Sequence, residues 1–242
     1  MRVLLVCLLS PVAFGQFLSE RWDQASDTYI VKVNPRAARL LAVNTGTPYS
    51  AVVIWQQGRP LADGMLSGMP PTVTKTYRDS QGRTRSDTAR PGQNARVLNG
   101  RFTSIEIWDP VGRFVYILDE EGKVAHRFSV NESPRPAAPP RQEARQVEKI
   151  REALGWRSIE GVMAEGTKET KTSPVVTTNE EWYSPELKRS VLLIYTDPRI
   201  GQRVRRVTNL SRAEPDPAVF QPPPGYSVVD ENESITITLK RR

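Results

Sequence analysis

The signature Asp-x-x-Gly occurs at 79–82, 109–112 and 119–122, each time between short runs rich in β-branched and aromatic residues. In such a turn the aspartate side chain caps the backbone and the glycine adopts positive φ, so the flanking runs return antiparallel to one another. A chain punctuated in this way is constrained to a meander of hairpins. What repeats is the turn chemistry and not a whole module.

The runs that these and neighbouring turns separate are 49–57, 72–78, 83–88, 102–108, 113–118 and 123–130. Strands resume over 158–171 and, after a polar loop at 172–179, at Trp182 and Tyr183. They continue with the apolar run 189–196, a long basic run ending at Ala213, and 234–240. That makes roughly ten or eleven strands. Helical spacing is confined to short pieces at 18–25, at 35–42 and at 143–154. The second opens with Asn34 as cap and Pro35 at the first helical position; the third places Val147, Ile150 and Leu154 in one stripe. The proline-rich segment 131–142 has no apolar periodicity and is expected to be an extended loop.

Strand faces separate what is covered from what is wet. In 124–130, Val124, His126, Phe128 and Val130 share one face, opposite Ala125, Arg127 and Ser129; this is the alternation of a sheet with one solvated side. Thr72, Thr74 and Thr76 likewise oppose Val73, Lys75 and Tyr77. In 114–118 both faces are apolar, Phe114, Tyr116 and Leu118 against Val115 and Ile117, and the same holds for 191–195. Such strands require cover on both sides, from helices, from the sheet curling on itself or from a bound apolar molecule. In the last run Ile235, Ile237 and Leu239 are expected inward. Phe220 stands between Pro215, Pro217 and Pro222, which fix the backbone around one large side chain and direct it onto the layer beneath.

The N-terminus orders one charge at Arg2, an apolar core over 3–9 and the small-residue pattern Ala13-Phe14-Gly15. This is the plan of a secretory signal peptide over 1–15, leaving a single β-rich domain over 16–242. Cys7 falls inside the apolar core behind Val6, a poor place for lipid attachment, and the remaining chain has no cysteine. The expected product is exported, to the periplasm or outside the cell, soluble after cleavage, with peripheral membrane contact open to it. Its core must then hold without disulfides. Loss of Arg2 with 1–15 takes the formal charge from +7 to +6, an excess that favours anionic partners. Export sets nucleic acid aside.

Catalytic and metal chemistry find few parts. The single histidine, His126, has neither a cysteine nor a second histidine to build a metal site with. No Gly-x-Ser-x-Gly elbow is present. Adjacent acids such as Glu180 and Glu181 fall on opposite faces of a strand. Neither an enzyme nor a cofactor is expected. The densest cations on one element are Arg199, Arg203, Arg205 and Arg206; they suit either a charged strand that discourages edge pairing or an anion-binding rim. Trp55, Trp108, Trp156, Trp182 and Phe220 are expected in the core or as barrel lining.

The residues quoted above, together with Pro48-Tyr49-Ser50-Ala51, Leu61-Ala62-Asp63-Gly64, Arg78 to Arg85, Ile159-Glu160-Gly161-Val162, Trp182-Tyr183-Ser184-Pro185-Glu186-Leu187 and Glu214-Pro215-Asp216-Pro217, resemble an uncharacterised family of exported bacterial proteins. The resemblance spans Pro48 to Tyr226 and implies no known activity. More distantly, the meander closed by Asp216 to Tyr226 is similar to periplasmic lipoprotein carriers and sensors of the LolA, LolB and RseB kind. That similarity implies an incomplete barrel wrapped around a few helices and sheltering acyl chains. The fold expected is therefore mainly β: a strongly curved antiparallel sheet or half-barrel with a few short covering helices. The function expected is non-catalytic carriage of an apolar or acylated ligand, a lipid or lipoprotein. Phe114, Tyr116, Leu118 and Trp108 would line the site and Arg205 would meet an anionic head. The alternative is a structural or sensory envelope protein that acts through contacts with another protein.

Overall fold

The computed structural model describes residues 17–23, 28–35, 38, 43–62, 66–68, 71–89, 104–130, 149–172 and 174–240. Sixteen strands fall within them. Three form a small sheet: β1 (Leu18–Asp23), β2 (Thr28–Val33) and β16 (Ile235–Lys240), in the order β1-β2-β16. The others are β3 (Tyr49–Pro60), β4 (Leu66–Gly68), β5 (Thr72–Arg78), β6 (Thr84–Ala89), β7 (Ser104–Asp109), β8 (Phe114–Asp119), β9 (Val124–Ser129), β10 (Lys149–Ile159), β11 (Val162–Lys171), β12 (Thr177–Ser184), β13 (Arg189–Asp197), β14 (Gly201–Ser211) and β15 (Ser227–Asp230). They run β10-β11-β12-β13-β14-β3-β5-β6-β7-β8-β9-β15 in one open sheet, with β4 attached to β3. Every pairing is antiparallel except that of β15 with β9. The sheet is not closed into a barrel.

The Asp-x-x-Gly turns form as expected, with one difference. Asp109 Oδ1 accepts from the N–H groups of Val111 and Gly112 at 3.0 and 2.9 Å, and Asp119 Oδ1 from those of Glu121 and Gly122 at 3.0 and 3.1 Å. Gly82 takes the positive φ, but in the other two turns Arg113 and Lys123 do. There glycine is needed for space, because a Cβ on Gly112 or Gly122 would lie 2.8 or 2.7 Å from the capping carboxylate. Glu160 and Gly161, both at positive φ, close β10 onto β11 in a two-residue turn whose twist suits a hairpin.

Both faces of β8 are covered by the protein itself. On one, Val115 and Ile117 are buried with Phe128, with Val31, Val33 and Ile237 of the small sheet, and with Phe17, whose ring meets Phe128 edge-on at 5.8 Å. On the other, Tyr116 and Leu118 pack with Ile105, Ile107, Ala125 and Phe220. Phe220 ends a 3-10 turn, Pro217–Phe220, capped by Asp216, whose carboxylate accepts from Ala218 N at 2.8 Å. A third cluster joins Tyr49, Ala51, Val162, Ala164, Trp182, Leu187, Val191 and Val207 at the other half of the sheet.

Several helical expectations give way to strand. Residues 18–23 pair as β1, and 149–154 belong to β10 in place of a covering helix. The described residues hold no α-helix, so none is long and apolar enough to cross a membrane. Ile150 and Leu154 sit at helical spacing, yet Ile150 pairs with Thr170 and Leu154 is the bulged residue between the Ala153 and Gly155 pairs, and pairing along the strand outweighs a three-residue stripe. Most of 35–42 lies outside the described residues, as do the signal segment 1–15 and the proline-rich 131–142.

Candidate functional site

Register places β13, β14, β3 and β5 side by side, and one row across them joins Glu181, Leu193, Arg205, Trp55 and Thr72. Directly opposed residues of paired strands share a face, so Arg205 projects between Leu193 and Trp55. The next row is Asn179, Tyr195, Arg203 and Gln57. Arg203 donates to Gln57 Oε1 at 3.2 Å and lies 5.9 Å from the Tyr195 ring centroid. Val53 and Thr74 continue the surface on the other side. Leu193, Trp55, Val53 and Tyr195 are all half-buried, so this apolar face is only partly covered.

Arg205 donates to the Ser190 carbonyl at 3.4 Å, and the Ser190 hydroxyl bonds the Glu181 carboxylate. Burial pushes the Arg205 guanidinium below its ordinary pKa; the neighbouring Arg189 adds to this, while Glu181 and Tyr49 oppose it. Arg189 in turn donates to the Tyr49 hydroxyl. Arg78 lies 4.7 Å and Arg189 4.9 Å from the Tyr49 ring centroid, so both cations share one aromatic. Arg78 is buried, and burial lowers its pKa as well. It is held by the Thr47 carbonyl at 2.9 Å, the Thr47 hydroxyl at 2.5 Å and the Leu187 carbonyl at 2.6 Å. The result is a desolvated cationic cluster at the edge of an apolar face.

The residues that the sequence nominated are not gathered here. Tyr116 and Leu118 are core, Leu118 being 1% exposed, and Phe114 packs beside them with Arg127 4.6 Å over its ring. Trp108 stands opposite Val115 and so belongs to the other face, where it packs against the cluster under the small sheet. Registers from Trp108 through Thr84 and Arg78 carry that face to Arg205. Trp108 and Arg205 thus share a face that Phe114, Tyr116 and Leu118 do not, and four strands separate β14 from β8. The basic strand is central, so its arginines do not serve to protect an edge. Trp156, expected in the core, is 56% exposed. Sequence reasoning missed Leu193, Trp55 and Arg189 as neighbours of Arg205; the apolar character of both faces in 191–195 was the available signal.

Among the described residues no three or more His, Cys, Asp or Glu side chains stand where they could hold a metal ion.

No family model matches the chain, and no curated protein does. Solved structures do. An uncharacterised conserved protein from Thermus thermophilus aligns at 13% identity over 76% of this chain and 91% of its own, with a TM-score of 0.42. MucB of Pseudomonas aeruginosa, solved in complex with MucA, aligns at 10% identity over 73% of this chain, with a TM-score of 0.42. The alignment takes in 56% of the length of MucB. A LolA superfamily protein from Nitrosomonas europaea aligns at 12% identity over 76% of this chain and 92% of its own, with a TM-score of 0.32.

Proposed function

We propose that the chain is an exported, non-catalytic binding protein of the cell envelope that shelters an apolar or acylated ligand along β13, β14 and β3. The observation that supports this is Arg205, a desolvated cation placed between Leu193 and Trp55 on a partly covered apolar face, with Arg189 beside it. The charge of Arg189 disfavours that of the desolvated Arg205 guanidinium, and an anionic head group offsets that repulsion. An acyl chain would at the same time cover Leu193, Trp55 and Val53, worth about 25 cal/mol per Å² of apolar surface removed from water. The site is therefore moved off Phe114, Tyr116 and Leu118, whose face the protein fills with Phe220. A partner that presents a lipidated N-terminus would offer the same chemistry as a free lipid.

Protein prepared without detergent is expected to carry lipid in native mass spectrometry and to bind a solvatochromic fatty-acid probe. Leu193→Lys should abolish probe binding with the fold retained. Arg205→Met should weaken binding of the ionised fatty acid by about tenfold or more, and that of the matching alcohol far less, as expected for loss of a charge-assisted contact. A lipid-free protein that ignores the probe would rule the reading out.

A further inference from the structure

The open sheet ends at β10, which among the described strands pairs only with β11. All of its eleven residues except Leu154 and Ile159 are exposed. It contains no proline, and Ile150 is 54% exposed. Beside it Trp156, Glu165 and Tyr183 stand in one row, with Met163 on the same face. Trp156, Met163 and Tyr183 are all exposed large apolar side chains, at 56%, 51% and 41%. An edge this long, with its outer side left open, can template another strand, and its bulge and its charges decide which strand fits.

We propose that the occupant is a second copy of this chain, β10 pairing antiparallel with the partner's β10 about a two-fold axis through the Leu154–Gly155 peptide. The strand's own sequence is complementary to itself in that register. Glu152 opposes the partner's Arg157 and Arg157 opposes the partner's Glu152, giving two ion pairs. Ile150 faces the partner's Ile159, Ala153 faces the partner's Trp156, and Arg151 faces the partner's Ser158. No like charges meet.

The bulge in β10 decides the register. Ala153 pairs with Thr167 and Gly155 with Gly166, so the strand shifts by one residue there, with Gly155 at φ +79°. On β11, Thr167 and Glu165 lie on one face, which puts Ala153 and Trp156 together although they are three residues apart. Glu152 and Arg157, five apart, share the other face for the same reason. In a regular strand residues an odd number apart point to opposite sides, and an axis between two residues would set every side chain against one on the wrong face. With the bulge it is this axis that matches the faces. Sliding by two residues, to the next registers that keep them matched, puts Ile150 against Arg157 or Glu152 against Ile159 and loses both ion pairs. The Arg157 guanidinium rests 3.8 Å above the ring of Trp182, on the inner side of the strand, and must swing outward to meet the partner's Glu152.

Sedimentation velocity over a range of concentrations tests this on the whole protein. The unaltered chain should dimerise. Glu152→Arg alone, and Arg157→Glu alone, should each raise the dimer dissociation constant by about tenfold or more, since each turns two cross-strand attractions into repulsions. An equimolar mixture of the two variants should associate again, because the heterodimer restores both pairs, one in the original sense and one reversed; the double variant, with both pairs reversed, should do so by itself. Glu152→Arg lies on an exposed side chain and carries the test even if uncovering Trp182 destabilises Arg157→Glu. A protein that stays monomeric at its highest soluble concentration, or a dimer indifferent to Glu152→Arg, overturns the proposal.

Discussion

Phe220→Ala is the perturbation that probes most directly how this sheet is closed on one face. The side chain is fully buried and seated on Ile105, Ile107, Tyr116, Leu118 and Ala125, which come from β7, β8 and β9. Arg83 lies 5.2 Å over its ring. The backbone around it is fixed by the Asp216 cap, by Pro217 and by the bond from Gln221 N to the Ala218 carbonyl at 3.2 Å, so the site cannot collapse readily into the space left. Truncating a buried phenylalanine in such a setting costs about 3–5 kcal/mol, including about 0.5–1 kcal/mol from the lost cation–π contact. That is a large part of a typical stability of about 5–15 kcal/mol. For a chain of this size each kcal/mol moves the melting temperature by about 2–4 °C, so a fall of about 6–20 °C is expected. Thermal and denaturant unfolding should be measured beside Arg203→Ala, an exposed residue on β14 expected to change stability by no more than about 0.5 kcal/mol. Equal and small effects from both would show that the 3-10 turn does not anchor the face.

Two further outcomes follow from the geometry. Asp197 is buried and receives Arg199 through its backbone N–H at 2.9 Å and its guanidinium at 3.0 and 2.7 Å, which holds its pKa down to about 2. A carboxylate depressed on folding stabilises above its unfolded pKa, near about 4, and loses that contribution as pH falls through its folded value. The stability gap between the native chain and Asp197→Asn should therefore shrink between about pH 4 and pH 2; a gap constant over that window would contradict it. Gly166→Ala would place a Cβ 2.7 Å from the Trp182 ring and 2.9 Å from Leu154 Cβ. It should cost about 1–3 kcal/mol by overpacking and alter tryptophan fluorescence, whereas an unchanged melting curve would mean that the ring is free to move.

Legibility differed between the fold and the site for identifiable reasons. The run 72–78 is read correctly to the residue, because its threonines alternate cleanly and a capped turn follows. The segment 149–154 is misread because its few apolar residues fit a helix as well as a bulged edge strand; only the hairpin turn at Glu160 and Gly161, with both residues at positive φ, distinguishes them. Arg205 is legible as a cation on a strand. Its neighbours Leu193 and Trp55 are not legible together, since Trp55 lies far away in the chain and reaches it only through the β14–β3 ladder.

The sequence alone determined the local terms: where the chain turns, which residues alternate across each strand, and that Phe220 would be driven inward by the prolines around it. These depend on capping groups, side-chain period and fixed φ, all of which act within a few residues. Tertiary structure decided the strand order, and with it everything that depends on which strand lies beside which. It placed the basic strand in the centre of the sheet, filled both faces of β8 with the small sheet and the 3-10 turn, and left β10 at the edge. The physical reason is that a backbone N–H or C=O pairs equally well with any strand that presents its complement. The choice among partners is made by the burial that each pairing allows the rest of the chain to achieve.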